Sequence, residues 1–351
     1  MAHWEWLWAG RDSILAIEER YAARSQFDPA LLKRISSQGV ALIHVNHAFN
    51  MGVAQKIAAL ARSAGFARPE IILETHDVQS HRYGRSRLAN YFTKQADPPA
   101  RILRDELRIL GQADALIHIS EDDVAHFRRA LPDRRHFLLR PTTRNQPPSL
   151  PDKARSSIDF LFIGNAHHGN IASIQWFLTS VMPRVSGRGF RIRIVGGVAG
   201  WFRQHSPSVY AAHRDIWMDE QPQVAEIYES ARFVIVPTML GTGASIKLIE
   251  ALAMAKHVVA TPTAMAGIAS VPGIEDAVRV AGNAEEFAAA MLDLAGLPEE
   301  PNLAGLDVYA SHFSNACYQQ ALLAILREGI RAACLLTVLW NGAAAVVPLA
   351  G

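Results

Sequence analysis

The chain is poor in cysteine, poor in lysine and almost without net charge. Its two cysteines, Cys317 and Cys334, form no Cys-x-x-Cys pair and no Cys/His cluster. That argues against a disulfide scaffold and a structural zinc site, and makes a reducing cytoplasm the default compartment. Six of the 35 basic residues are lysine, and 33 acidic residues leave a net charge of +2. A dedicated nucleic-acid binder normally shows a strongly basic domain, so no nucleic-acid partner is expected. The start, which carries Trp4, Trp6 and Trp8, has no basic segment followed by an apolar one. No signal peptide is expected there, and the three tryptophans read as buried packing. Long apolar runs are missing until residues 332–351, which carry no charge and follow Arg327 and Arg331. About twenty apolar residues are what a helix needs to cross a bilayer. Asn341-Gly342 and Pro348 interrupt this run, so 331–351 is expected to be an apolar tail, with a spanning anchor as the alternative.

What the chain does have is a core's worth of apolar residues. Half of its 351 residues are hydrophobic and 19% are charged, the balance of a globular protein. At roughly 150 residues per domain, that length suggests two domains. Short apolar runs alternate with longer amphipathic ones. Strands are predicted at residues 40–45, 71–75, 115–119 and 136–139, with a helix at 52–64. The stretch Arg144-Asn-Gln-Pro-Pro-Ser-Leu-Pro-Asp152 has no apolar period and reads as the linker, residues 144–154. Beyond it, strands are predicted at 158–163, 190–195, 233–236, 257–260 and 278–280. Helices are predicted at 171–182, 223–231, 244–254, 284–294 and 314–326. Strands alternating with helices of this length give βαβ units and parallel sheets. The fold class is therefore α/β, with two Rossmann-like domains at residues 1–143 and 155–330. Ligands of such sheets lie outside the carboxyl ends of the strands, and the expected site is the cleft between the domains.

The most informative run is Phe233-Val-Ile-Val-Pro-Thr-Met-Leu-Gly-Thr-Gly-Ala-Ser-Ile-Lys-Leu-Ile-Glu-Ala-Leu-Ala253. A buried strand ends at Pro237, a loop carries Gly241 and Gly243, and a helix is expected from about Ala244. Free amides at a helix start, with the positive end of its dipole, suit an anion. Lys247 in the first turn adds a point charge. Glu250, three residues on, shares its face and can accept two ribose hydroxyl protons.

This run, the following His257-Val-Val-Ala-Thr261 and Gly267-Ile268 resemble the donor-binding half of GT-B glycosyltransferases of the family 4 type. The resemblance extends upstream through Phe160-Leu-Phe-Ile-Gly-Asn-Ala-His-His-Gly-Asn170, the helix with Trp176-Phe177, and Arg193-Ile-Val-Gly-Gly197, so that it covers nearly all of 155–325. It implies a retaining transferase of the GT-B fold that moves a sugar from a nucleotide-diphosphate sugar, with no metal and no cofactor. The donor site it implies comprises Gly164, Thr242, Gly243, Ala244, Ser245, Lys247 and Glu250. Glu250 matches the ribose-binding second glutamate of the family's Glu-x7-Glu motif. Thr242 stands where many members carry the first glutamate, so contact with the donor sugar is altered. After the strand ending at Gly164, Asn165, His167 and His168 replace the Arg and Lys of many relatives. Most phosphate binding then falls to Lys247 and the amides of Gly243, Ala244 and Ser245.

In the first domain, Ile71-Ile-Leu-Glu-Thr-His-Asp-Val-Gln-Ser80 resembles the family segment whose strand-end histidine lines the catalytic cleft, and His76 is the match. His118 is expected to be structural, and Ser120 an N-cap. Residues 1–143 carry 20 basic and 16 acidic side chains, the remainder 15 and 17. Arg82, Arg85, Arg87, Arg101, Arg104 and Arg108 suggest a basic face suited to an anionic lipid-linked acceptor, or simply a solvated one. The resemblance begins partway into the first domain, where only about four strands are visible, and the acceptor domain is expected to be incomplete. The implied partners are a nucleotide-sugar donor and a glycan or lipid-linked acceptor. The implied setting is polysaccharide or glycolipid assembly at the cytoplasmic membrane face. A catalytically inactive nucleotide- or glycan-binding relative and a nucleotide-sugar epimerase are the open alternatives.

Overall fold

The structure, a computed structural model, describes residues 13–81, 97–143, 156–241, 243–329, 335–340 and 343–348. The Trp4–Trp6–Trp8 cluster, the linker expected at 144–154, Thr242 and the Arg82/Arg85/Arg87 group lie outside them. The chain divides into two compact units, residues 1–139 with 319–351, and residues 140–318. Among the described residues no helix is long and apolar enough to cross a membrane.

The first unit opens with α1 (Ile14–Ala22), capped by the Ser13 hydroxyl, and α2 (Pro29–Gln38), capped by Asp28 with proline at its first position. Then follow β1 (Leu42–Asn46), α3 (Met51–Ser63), β2 (Glu70–Glu74), α4 (Pro99–Leu110), β3 (Ala115–His118), α5 (Glu121–Ala130) and β4 (Arg135–Leu138). These are the four strands expected, each within two residues of its predicted bounds. Ile43, Val45, Ile71 and Leu73 meet Ala54 and Ile57 of α3, Ile109 of α4 and Phe127 of α5 in one core. Ser120 caps α5 as expected, its hydroxyl accepting from the Asp123 amide at 3.1 Å.

The second unit is a continuous βα succession. It runs β5 (Ile158–Ile163), α6 (His168–Trp176), a five-residue π-helical segment (Phe177–Val181), α7 (Met182–Val185), β6 (Ile192–Val195), α8 (Gly197–His205) and α9 (Pro207–Ala212). After these come β7 (Trp217–Met218), α10 (Val224–Glu229), β8 (Ala231–Val236), α11 (Ile246–Ala253), β9 (His257–Ala260), α12 (Ile274–Ala277), β10 (Val278–Val280), α13 (Ala284–Ala295) and α14 (Leu303–His312). The sheet order is β10-β9-β8-β5-β6-β7, and every pairing is parallel. Alternate residues face opposite layers. Phe160, Phe162, Phe233 and Ile235 pack on one side, and Leu161, Val234 and Val236 on the other.

Helix α15 (Asn315–Gly329) leads back to residues of the first unit. Here the structure departs from the sequence reading. Residues 331–351 were expected to be a tail outside both domains; instead β11 (Leu335–Trp340) and β12 (Ala343–Pro348) form an antiparallel hairpin. β11 also pairs parallel to β1, with Leu42 opposite Leu336 and Val45 opposite Leu339. The first sheet thus reads β12-β11-β1-β2-β3-β4. Four local strands reach six by recruiting a hairpin from nearly three hundred residues away, and Asn341-Gly342, read as an interruption, falls between its two strands in sequence, outside the described residues.

Candidate functional site

In the second unit, candidate residues gather at the carboxyl ends of the parallel strands, as the topology requires. Gly164 follows β5, and its amide donates to Val195 at 2.9 Å. Its neighbour across the crevice, Gly196, has φ 106°, and a Cβ there would lie 2.6 Å from the Gly164 carbonyl oxygen. Only glycine allows the two loops to approach this closely. Beside them lies a cavity of about 110 Å³ lined by Gly164, Asn165, Gly196, Gly197, Glu220, Gln221 and apolar side chains including Ile163 and Val224. Among the described residues, Gly164 is the one expected donor residue that lines it.

The remaining donor candidates sit around the start of α11. That helix begins at Ile246, two residues later than the sequence suggested, because Gly243 adopts φ 83° and Ser245 is still extended at its N-cap. Gly243, Ala244 and Ser245 are therefore loop and cap rather than helix. The Ser245 hydroxyl makes no capping bond, so the first amides of α11 lack the usual side-chain acceptor. Lys247 is half-buried, its Nζ 5.8 Å from the centroid of Phe162. Burial pulls its pKa down, opposed by Glu250. Glu250 shifts the other way. Burial raises its pKa, while the Tyr228 hydroxyl and Lys247 favour the carboxylate.

Tyr228 is the residue that sequence reasoning missed. It is 1% exposed, and its hydroxyl donates to Glu250 Oε2 at 3.1 Å. Burial and the adjacent carboxylate together hold its pKa well above 10. Tyr228 occupies a helix position that pattern alone assigns to the core, and its hydroxyl finds a partner only through the fold. The tandem histidines also have a local role. His167 caps α6, accepting from the Gly169 amide at 3.3 Å, and its ring lies 4.2 Å from that of His168. Among the described residues no group of three or more His, Cys, Asp or Glu is arranged to hold a metal ion.

In the first unit, His76 follows β2 in an unusual backbone state. Its φ is 60°, and the Asp77 amide donates to the Thr75 carbonyl across it at 2.8 Å, a three-residue turn. His47, just past β1, has φ 68°, and its amide donates to the Glu74 carbonyl. A non-glycine residue in this region costs about 1–3 kcal/mol, and such residues cluster at functional sites. The two rings lie 3.9 Å apart. His76 Nε2 lies 2.6 Å from Asn46 Oδ1 and 3.7 Å from Glu74 Oε1, and His44 Nε2 lies 3.3 Å from Glu74 Oε2. Burial opposes ionisation of Glu74, but His44, His76 and His47 outweigh it and the carboxyl sits below its usual range. Burial lowers the His76 pKa more than Glu74 raises it. Asn46, His47 and Glu74 were not singled out from sequence. The polar ending of β1 was the available signal.

Two other expectations meet their geometry here. His118 is fully buried, its Nδ1 3.1 Å from Thr75 Oγ1 and its Nε2 2.9 Å from His136 Nδ1, and burial drives its pKa down to about 3. It is structural, as expected. On α4, Arg101, Arg104 and Arg108 each face a carboxylate, Asp97, Asp105 and Glu19 respectively, so the described part of the basic face is largely self-paired.

Residues 157–296 match the model of a family described as glycosyl transferases group 1. A comparison with curated protein sequences returns no match. Among solved structures, the chain resembles sucrose-phosphate synthase from Thermosynechococcus elongatus at 15% identity and TM-score 0.64, over 90% of this chain and 78% of that one. It resembles a glycosyltransferase from Rickettsia africae at 13% identity and TM-score 0.61, over 91% and 82%. HepE of Anabaena, solved with UDP, aligns at 12% identity and TM-score 0.59, over 85% and 81%. At these identities the likeness establishes the fold.

Proposed function

We propose that this chain, whose residues 157–296 match the glycosyl transferases group 1 model and whose fold resembles that of solved glycosyltransferases, transfers a sugar from a nucleotide-diphosphate sugar with retention of configuration. The observation that carries this reading is the start of α11, where an uncapped helix N-terminus, Lys247 and Glu250 fall within one turn of each other. In this reading the Gly243, Ala244 and Ser245 region and Lys247 take the diphosphate. Their fixed dipoles and charge stabilise the leaving group, the contribution that usually dominates such displacements. Glu250 accepts from the ribose hydroxyls, with Tyr228 occupying its other oxygen. The cavity beside Gly164 takes the base. Thr242, outside the described residues, brings a neutral hydroxyl where many relatives carry a glutamate, and His76 is the residue of the first unit we assign to the sugar chemistry. No metal or cofactor is assigned a role, since Lys247 and the amides meet the diphosphate charge. HepE, solved with UDP and with UDP and glucose, supports a nucleotide-sugar donor. A glycan or lipid-linked acceptor in cell-surface polysaccharide or glycolipid synthesis, on the cytoplasmic side of the membrane, is the setting we favour.

Calorimetry with UDP, GDP and ADP on the wild-type chain tests the donor half directly. One nucleotide is expected to bind, and Glu250→Ala should weaken it by about ten- to a hundred-fold, the loss of one or two charge-assisted hydrogen bonds. Unchanged affinity in that variant would remove Glu250 from the site. Product identification after donor incubation separates transfer from epimerisation.

A further inference from the structure

We propose that Asn46 and Glu74 are positioning residues that hold His76 in the tautomer protonated on Nε2, so that its Nδ1 lone pair is the atom offered to a sugar hydroxyl. The identity of that hydroxyl rests on the transferase reading above; the tautomer does not.

A neutral imidazole carries one N–H, and the partners of its two nitrogens decide where. His76 Nε2 has two acceptors on its side, Asn46 Oδ1 at 2.6 Å and Glu74 Oε1 at 3.7 Å. An ionised carboxylate accepts only. Turning the Asn46 amide over would set its NH2 against Nε2 and leave a ring lone pair facing the buried Glu74 carboxylate. Glu74 therefore fixes the amide orientation as well as the proton.

The backbone is built to bring these groups together. Asn46 ends β1 and Glu74 ends β2, and the parallel register sets them directly opposite one another. The Asn50 side-chain amide donates to the Asn46 carbonyl at 2.7 Å, which pins the end of β1. The positive-φ turn at residue 76 lets a ring two residues beyond Glu74 return to the strand ends. Among the described residues, the ionisable groups facing that ring are Glu74 from β2, His44 from β1 and His47 from the segment after β1. His44 and Glu74 are both buried, and His76 keeps a quarter of its side chain exposed. Two members of the array, His47 and His76, keep part of their surface exposed, and His76 has its donor nitrogen already committed inward.

Long-range proton–nitrogen NMR on the full chain labelled at histidine nitrogens tests the assignment. The His76 signals are identified by their loss in His76→Gln. The expected pattern at neutral pH is a protonated Nε2 and a bare Nδ1; a protonated Nδ1, or a doubly protonated ring, overturns the proposal. Asn46→Leu should produce a mixture of tautomers. It should also lower kcat by about 10–100-fold, the range typical for loss of a partner that orients a functional histidine, with the donor KM unchanged. Asn46→Asp keeps an acceptor, so it should preserve the Nε2–H form and move the pH–rate profile upward. If Asn46→Leu does not fold, the wild-type spectrum and Asn46→Asp still decide. A bare Nδ1 in a chain without transferase activity would sink the functional reading alone, whereas activity with a protonated Nδ1 would sink this inference alone.

Discussion

The two units solve the same architectural problem with different bookkeeping of the chain. In the second, six parallel strands follow one another within residues 158–280, and each strand finds its partners inside that span. In the first, four strands come from residues 42–138, and two more arrive from residues 335–348. The candidate chemistry divides in the same way. Helix-start amides with a Lys/Glu pair mark the second unit, and strained histidines over a buried carboxylate mark the first. A unit whose contacts are local can be read from its sequence, while a unit closed by distant strands hides its edge.

The sharpest way to break this comparison is to cut the distant pairing. β11 lies between β1 and β12, and Leu336–Leu339 have a partner strand on both sides. Val338→Pro removes one amide from this stretch, and proline inside a regular element costs about 3 kcal/mol or more. Hydrogen exchange should show residues 42–46 losing protection while residues 158–163 and 231–236 keep theirs. Loss of protection in both sets would mean that the units do not unfold independently.

A smaller effect separates the units by pH. Burial lifts Glu106 of α4 from 4.5 to about 7, although its two oxygens accept from the Gln79 and Ser80 amides at 2.6 and 3.0 Å. A carboxyl whose folded pKa lies above its unfolded one makes the native state bind the extra proton. Stability from this group is therefore present below pH 4.5 and is lost as pH rises toward 7, by about 3 kcal/mol across the window. Asp123, raised from 3.8 to about 6, has the same sign. His118, lowered from 6.5 to about 3, has the opposite one, its contribution being lost as pH falls from 6.5. Denaturant melts of Glu106→Gln should show a weaker fall in stability between pH 4.5 and 7 than the wild type shows. An unchanged slope would remove Glu106 as its source.

The smallest expected effect refines the donor side. Tyr228→Phe removes one hydrogen bond from Glu250 without opening a cavity. It should weaken nucleotide binding by about 1 kcal/mol, roughly five-fold, through a carboxylate left free to turn. Calorimetry measures it. A loss as large as that of Glu250→Ala would mean that Tyr228 itself touches the nucleotide.

The strands β5, β9 and β10 were legible to the residue because each is a short run dominated by β-branched and other apolar residues, broken only by Asp159 in β5, His257 at the start of β9 and Arg279 in β10. The start of α11 was misplaced by two residues, since Ala244 and Ser245 suit a helix and only the backbone at Gly243 delays it. His76 could be found because an apolar strand ends abruptly in polar residues. Its partners could not, because Asn46 and Glu74 meet through the register of two strands that sequence does not specify. The same limit explains the hairpin. Residues 335–348 are apolar enough to be a tail, a helix or a strand pair, and what makes them strands is an open edge far away along the chain.

That hairpin also sets an order of events during synthesis. The second unit's sheet is complete once residue 280 has emerged from the ribosome, whereas residues 42–45 wait for residues 336–339 before that edge of β1 is covered. Through that interval Ile43-His44-Val45 presents an unpaired parallel edge, the kind of surface on which growing chains associate wrongly. Yield and chaperone dependence in the cell should therefore follow the fate of β11 and β12.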